Sequence, residues 1–372
     1  MKKKILFISM HPAPYRDPVI ERLSKEYEVA VLSLYDIPTS HTEWNKQSQL
    51  PYINTYLRKG IQLPVVGTLQ LDIIRYLKKY RGELIIIPGY VPATCLLAIT
   101  YANIHKIPYI YAADTADLPL DSAHRHSFNR IAKWCIRKSS ALWVTGVAGR
   151  KTFEKLGYDG RNIIEGYYTL DNLKLRERYK SISNQQKSLW RNEYGIADSD
   201  KVFLFVGKLI RNRQIERMLR IVSIVHDSHP DIKLLIIGDG PQKQIVDNMS
   251  EKKTWIINIP RVPYEELYQF YAMADAYLYV GAEPYSLAVV EAVIADLPVV
   301  ASDTVGATYD YVLDGVNGYV NKSDDEFVSA ICAILLSKID KEKLRKCNDR
   351  LMEKHCVQTV YDNLNKMMNL II

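Results

Sequence analysis

Two carboxylates stand seven residues apart in Glu283-Pro284-Tyr285-Ser286-Leu287-Ala288-Val289-Val290-Glu291. The apolar run Leu287-Ala288-Val289-Val290 fits a helix starting near Tyr285, which leaves Glu283 in the loop before it and Glu291 inside it. So separated, the two acids cannot act as one dyad. The first N–H groups of such a helix, at Ser286, Leu287 and Ala288, lack intrahelical acceptors and carry the positive end of the dipole, so they suit a phosphate. The acids are left for hydroxyl groups. An acid favoured by the dipole plus an exposed helix glutamate would give the same pattern without a ligand.

Val206-Gly207-Lys208-Leu209, followed by Arg211 and Arg213, puts three cations just past an apolar run. In doubly wound sheets ligands bind at that strand end. Diphosphate is the natural counter-ion, and Lys208 and Arg213 would neutralise charge growing on a leaving phosphate; a solvated basic loop is the plainer account. Ile237-Gly238-Asp239-Gly240-Pro241 also ends a strand, and Gly238 and Gly240 would let a ligand approach the backbone. Thr304-Val305-Gly306-Ala307 is of the same kind. Asp114, after Tyr109-Ile110-Tyr111-Ala112-Ala113, is a candidate polar or basic catalytic group, or simply an N-cap. Asp198-Ser199-Asp200 matches a metal-binding Asp-x-Asp but precedes its strand, so no metal is assigned. His124-Arg125-His126 lacks acidic or cysteine companions at ligand spacing, and no Ser-His-Asp or Gly-x-Ser-x-Gly arrangement stands out.

Short apolar strands alternating with amphipathic helices must position these groups. A first series is expected at Ile5–Ser9, Val29–Leu34, Leu84–Ile87, Tyr109–Ala112, Ala141–Val144 and Asn162–Ile164. A second is expected at Val202–Val206, Lys233–Gly238, Thr254–Ile257, Ala276–Val280, Val299–Ala301 and Gly318–Val320. This is the rhythm of two parallel α/β sheets in tandem. Leu84 to Ile104 carries no charge and resembles a membrane span, but Pro88, Gly89 and Pro92 divide it into strand, turn and helix. Tyr35 to Gly60 has no clear period and reads as a loop over a cleft. Gly166 to Asp200 is polar and rich in Ser, Asn and Gln, the composition of a connection. The expected organisation is residues 1–170, a connector 171–200, a second domain 201–355, and a C-terminal helix 356–372 packing back on the first domain.

At 372 residues with 48% hydrophobic content, the chain has material for two cores. Its formal charge of +7, from 49 basic against 42 acidic residues, is spread along the chain and excludes a nucleic-acid arm. Anionic ligands fit it better. The basic helix end Ile73–Arg81 could touch anionic lipid or be an ordinary solvated face. Five cysteines without Cys-x-x-Cys spacing argue for reduced thiols and a cytoplasmic setting, with the inner face of the cell membrane a further option. Lys2-Lys3-Lys4 before Ile5-Leu6-Phe7-Ile8 mimics a signal peptide, but the apolar run stops at His11-Pro12.

Taken in order, Gly207-Lys208-Leu209…Arg213, Gly238-Asp239-Gly240-Pro241, Glu283-Pro284-Tyr285-Ser286…Glu291-Ala292, Pro298-Val299-Val300, Gly306-Ala307…Asp310 and Asp314-Gly315-Val316-Asn317-Gly318 resemble the signature of family 4 retaining glycosyltransferases. The match spans about Val202 to Val320. It implies a GT-B fold, α/β, with two Rossmann-like domains facing across a cleft. In the first half, Gly146…Arg150…Leu156-Gly157 and Tyr168-Thr169-Leu170-Asp171 resemble the acceptor domain of such enzymes. The resemblance implies that Lys208 and Arg213 hold the donor diphosphate, Glu283 meets the transferred sugar, Glu291 binds the ribose and Ser286 to Ala288 give phosphate-binding amides. The implied partners are a UDP- or GDP-linked sugar and a glycan or lipid-linked acceptor in surface polysaccharide synthesis, with no metal or other cofactor. The sequence departs from the pattern: Lys208 and Arg213 exchange the usual Arg and Lys. Ser286, Asp296 and Ala307 replace glycines, Asp310 replaces a glutamate, and Asp114 stands where many members have histidine. A UDP-sugar 2-epimerase of the same fold and a non-catalytic sugar-nucleotide-binding subunit of a polysaccharide assembly complex are the alternatives.

Overall fold

Runs such as Ile5–Ile8 and Leu84–Ile87, apolar at every position, are stable as strands only where a sheet is covered on both faces. Both become interior strands of a parallel sheet. The computed structural model describes residues 2–11, 15–35, 53–113 and 126–372. Asp114, His124, Arg125, residues 12–14 and most of the Tyr35–Gly60 stretch lie outside the described residues.

The chain divides into two units, one of Met1–Asp171 with His355–Ile372 and one of Asn172–Lys354. In the first, β1 (Lys4–Ser9), β2 (Glu28–Ser33), β3 (Ile53–Tyr56), β4 (Ile61–Leu63), β5 (Gly67–Leu69), β6 (Leu84–Pro88), β7 (Tyr109–Ala113), β8 (Ala141–Val144) and β9 (Ile163–Glu165) follow in sequence. Seven of them form one sheet in the order β3-β2-β1-β6-β7-β8-β9, and β4 with β5 is an antiparallel hairpin. Alternate residues serve opposite faces, as the strand period of two requires. Leu6, Ile8, Ile85, Ile87, Tyr109 and Tyr111 enter one core layer, and Ile5, Phe7, Leu84, Ile86, Ile110 and Ala112 enter the other. The helix Val357–Ile371 adds Val360, Tyr361, Leu364 and Met368 to the second layer. Arg150 spends its guanidinium on the turn into β9 and its end, donating to Gly160 O at 2.7 Å, Ile163 O at 2.6 Å and Glu165 Oε1 at 2.5 Å. It is a staple of the fold.

The second unit contains β10 (Lys201–Val206), β11 (Ile232–Ile237), β12 (Ile256–Ile259), β13 (Ala276–Tyr279), β14 (Val299–Ser302) and β15 (Gly318–Asn321). All are parallel, in the order β12-β11-β10-β13-β14-β15. The two sheets are the α/β architecture expected. The chain runs outward from β10 through β11 and β12, then returns to the other side of β10 at β13. Strand order therefore reverses between β10 and β13, the position at which such sheets bind ligands.

Two local readings differ from the structure, and the strand-turn-helix reading of Leu84–Ile104 agrees with it. Residues 171–200 are not a bare connection: Asn172–Lys180 and Asn184–Glu193 are helices of the second unit. Their buried positions are polar or amphipathic, Asn172, Arg176 and Trp190, so hydropathy did not reveal them. Trp190 packs edge-on against Tyr268 at 5.8 Å, and Ser183 caps its helix by accepting from Gln186 N at 3.1 Å. Within Tyr35–Gly60, Ile53–Tyr56 is the edge strand β3, at four residues too short to show a period. Leu84–Ile104 is β6 followed by the helix Ala93–Ile104. Among the described residues no helix is long and apolar enough to cross a membrane.

Candidate active site

Four loops meet at the C-terminal edge of the second sheet. They follow β10, β11, β13 and β14, and carry Lys208 and Arg213, Gly238 to Gly240, Glu283, and Thr304 to Ala307 respectively. Their strands are buried almost completely, with Phe203, Leu204, Leu235, Leu278 and Val300 at 0% exposure, so the loop roots are fixed. The loops are also stitched to one another. Gly207 N donates to Ile237 O at 3.0 Å and Leu209 N to Asp239 O at 2.9 Å. Glu283 N donates to Thr304 O at 3.3 Å and Gly306 N returns a bond to Glu283 O at 3.0 Å, a short parallel bridge.

The glycines serve this stitching. A Cβ on Gly238 would lie 1.9 Å from Gly207 O, and one on Gly306 would lie 1.7 Å from Pro284 O. The close approach that Gly238 permits in this structure is loop against loop. Gly240, whose N donates to Asp239 Oδ1 at 2.7 Å, likewise faces Leu209.

Arg213 and Glu283 come together across the strand-order reversal. One sits at the end of a 3-10 turn, Arg211–Arg213, after β10; the other follows β13. Arg213 Nη2 donates to Glu283 Oε1, and Nη1 donates to Ala282 O at 2.9 Å. Glu283 Oε2 accepts from the Tyr279 hydroxyl at 2.8 Å, and the Ser286 hydroxyl lies close enough to act on this carboxylate. Burial pushes the Glu283 carboxyl above its ordinary range, while Arg213 and these hydroxyls pull it back. Tyr279, raised by burial and by the Glu283 charge, stays protonated and remains a donor. Arg213 Nε is buried without a partner, an orphaned donor at a charged centre. Lys208 is exposed and has no ion pair among the described residues.

The helix Leu287–Ile294 starts at Ser286, whose φ and ψ are −115° and 109°. Ser286 does not cap its own helix through its side chain. The amides of Leu287 and Ala288, on partly exposed residues, are among the uncapped donors of the first turn. Glu291 lies one turn further in. It is 7% exposed and lies among tyrosines: the hydroxyls of Tyr264 and Tyr271 act on its carboxylate, and Tyr179 lies close enough to feel its charge. Burial pushes its carboxyl up to about 7, with the two hydroxyls opposing the rise. Glu291 is thus not the exposed helix glutamate of the ligand-free alternative.

Asp310 is 4% exposed in the short helix Thr308–Tyr311. Asn317, fully buried, closes the turn before β15 through Leu313 N at 2.7 Å, Tyr311 O at 2.9 Å and Asn348 Oδ1 at 2.8 Å. The sequence reading missed Tyr264, Tyr271 and Tyr279. The signal was compositional: tyrosine outnumbers phenylalanine 26 to 7, so many buried aromatic positions carry a hydroxyl that needs a partner.

Comparison with known proteins places this arrangement. Residues 186–350 match the family described as glycosyl transferases group 1. The alpha-monoglucosyldiacylglycerol synthase of Acholeplasma laidlawii is 26% identical over 226 residues, 55% of this chain and 56% of that protein. The lipopolysaccharide 1,2-N-acetylglucosaminetransferase of Salmonella typhimurium is 26% identical over 207 residues, 52% of this chain and 53% of that one. The chain thus spans about half the length of the curated relatives it matches. In fold it is similar to Anabaena Alr3699/HepE, solved in complex with UDP, with a TM-score of 0.77, 16% identity, and coverage of 99% of this chain and 100% of the other. The chain therefore has the fold of GT-B proteins, and within it residues 186–350 match the group 1 glycosyl transferases.

Proposed function

We propose that the protein transfers a sugar, with retention of anomeric configuration, from a nucleotide-sugar donor to a glycan or lipid-linked acceptor in surface polysaccharide or glycolipid synthesis. The observation that carries this reading is the Arg213–Glu283 pair at the strand-order reversal, beside an uncapped helix start. The relatives' names support the class: one makes a glucosylated diacylglycerol, another modifies lipopolysaccharide. UDP in the Anabaena structure supports a nucleotide-linked donor.

In this reading the donor diphosphate takes the first amides of the Leu287–Ile294 helix, Lys208, and the orphaned Nε–H of Arg213. As the bond from the anomeric carbon to the phosphate oxygen breaks, negative charge grows on the phosphate and positive charge on the sugar ring. Preorganised cations and N–H groups stabilise the first without reorganisation. Glu283, held by Arg213 and Tyr279, accepts from sugar hydroxyls and faces the second. The leaving phosphate takes the acceptor hydroxyl's proton, so the new bond forms on the face the phosphate leaves, and no metal or other cofactor is required. Glu291 accepts from the ribose hydroxyls.

Incubation with UDP- and GDP-sugars and a panel of lipid and glycan acceptors tests this. The expected product is an acceptor glycoside with the donor's anomeric configuration by NMR. Donor binding without transfer to any acceptor would point to a non-catalytic subunit, and an epimerised sugar formed without acceptor would point to an isomerase.

A further inference from the structure

Three helices of the second unit bring the same pattern to one cavity. Asn172–Lys180 supplies Arg176 and Lys180, Asn184–Glu193 supplies Lys187 and Arg191, and Lys341–Lys354 supplies Lys341 and Arg345, all lining a cavity of about 970 Å³. Each pair is spaced i, i+4, so its two cations share a helix face and repel unless an anion lies between them. The cavity opens at the starts of β10, β13 and β14, where Lys201, Asp275 and Pro298 also line it. That is the opposite edge of the sheet from the four site loops.

In every pair the arginine is committed and the lysine is not. Arg176 meets Asp296 at 2.5 Å and Asp349 at 3.1 Å, and donates to Ile294 O at 2.8 Å. Arg191 meets Asp275 at 2.6 Å and donates to Met273 O at 3.0 Å, and Arg345 lies 3.7 Å from Asp296. The remaining carboxylate of the lining, Asp198, accepts from the Ser188 hydroxyl at 3.0 Å. The acids are therefore taken, while Lys180, Lys187, Lys201 and Lys341 have no ion pair among the described residues. Lys187 is half-buried, and burial, Arg345 and Arg191 push its ammonium below the ordinary range. Lys341 begins its helix, where the dipole opposes a cation. An anion in the cavity relieves both. The partly exposed Ile334 and Leu335 add an apolar wall.

We propose that this cavity is a second binding site, for a phosphate monoester with an apolar organic part: the phosphate takes the unpaired lysines, Lys187 and Lys341 foremost, and the organic part lies against Ile334 and Leu335. A phosphate dianion supplies the counter-charge that the lysines lack, through charge-assisted hydrogen bonds. The arginines, fixed by their aspartates, keep the walls in place without spending the ligand's charge. The site shares no residue with the proposed donor site and does not depend on the transfer reading.

Calorimetric titration with inorganic phosphate and with phenyl phosphate, and flotation with vesicles containing phosphatidic acid, test this on wild type, on the double variant Lys187→Gln, Lys341→Gln, and on Lys208→Ala. Phenyl phosphate is expected to bind wild type and Lys208→Ala alike, and more tightly than inorganic phosphate. The double variant is expected to bind it at least about tenfold more weakly, the scale of losing a hydrogen bond to a charged group. Glutamine relieves the repulsion, so the variant's urea midpoint is expected to equal or exceed that of wild type. A lower midpoint together with weaker binding would make the lysines structural and overturn the proposal. If wild type binds the vesicles and not phenyl phosphate, and the double variant does not bind them, the same site takes a lipid headgroup. Phenyl phosphate binding no tighter than inorganic phosphate refutes the apolar part. The site itself is refuted if neither phenyl phosphate nor vesicles bind, if binding survives in the double variant, or if Lys208→Ala abolishes it instead.

Discussion

Replacing Glu291 by glutamine separates stability from binding, because the same carboxyl is costly to the fold and needed by the ligand. Its ordinary pKa of 4.5 is pushed up to about 7 by burial, against the hydroxyls of Tyr264 and Tyr271, with Tyr179 also nearby. The folded state thus favours the protonated acid. The stability this group contributes is fully present below pH 4.5 and is lost as the pH rises through about 7. Across that window, at about 1.4 kcal/mol per pH unit, the second unit loses roughly 3 kcal/mol. Glutamine carries no charge and removes the slope. Urea denaturation followed by circular dichroism should therefore show Glu291→Gln gaining on wild type as the pH rises from 5 to 8, by up to about 3 kcal/mol. The same variant should bind UDP at least tenfold more weakly at pH 8, where the wild-type carboxylate is ionised. A stability difference that does not change between pH 5 and pH 8 would refute the argument, since it would mean that Glu291 titrates normally in the folded chain.

The remaining predictions concern the charged pair and the diphosphate. Lys208→Ala should lower turnover by about 10²-fold, the scale of losing one preorganised charge stabiliser; Arg213→Ala should cost more, because it also frees Glu283. Arg213→Lys should not rescue it, since one ammonium cannot reproduce the fork that reaches Glu283 and Ala282 together; full steady-state activity in either alanine variant would reduce the loop to a solvated edge. Glu283→Gln should bind UDP as well as wild type or better, Arg213 having lost its counter-charge, yet transfer sugar poorly; loss of UDP binding in a folded variant would overturn the division of labour between the two acids. Activity should survive EDTA, and its complete loss with recovery on adding Mg²⁺ or Mn²⁺ would contradict the assignment of the diphosphate to Lys208, Arg213 and helix amides.

Most of the fold was legible because the strands of parallel sheets are continuous apolar runs. Val202 to Phe205 and Leu234 to Ile236 read as strands for the same reason that they are fully buried. What escaped was structure whose burial is polar. Asn172 and Arg176 are 1% and 5% exposed, yet they stand in a stretch whose composition is that of a linker. The candidate site was legible as positions: two cations past one strand, an acid past the next one over, a helix start beside it. It was not legible as contacts, because spacing cannot show that Arg213 and Glu283 are each other's partners, nor that tyrosines from Tyr264 and Tyr271 reach the helix that carries Glu291.

The replaced glycines can now be judged one at a time. Ser286 and Ala307 have φ of −115° and −65°, where any residue is comfortable, so glycine is not demanded there. Asp296 is different, with φ of +60° in the left-handed region. Aspartate tolerates that region better than most residues, and here its carboxylate is tied to Arg176 at 2.5 Å, Asn348 at 3.1 Å and Arg345 at 3.7 Å. Those bonds offset a backbone cost of order 1–2 kcal/mol. Where a side chain would strike backbone, at Gly238 and Gly306, glycine has been kept. The departures from the resembled glycine pattern therefore fall where the backbone accommodates a side chain. The departures from the resembled pattern thus leave Arg213, Glu283 and the helix start in register, as the proposed transfer requires.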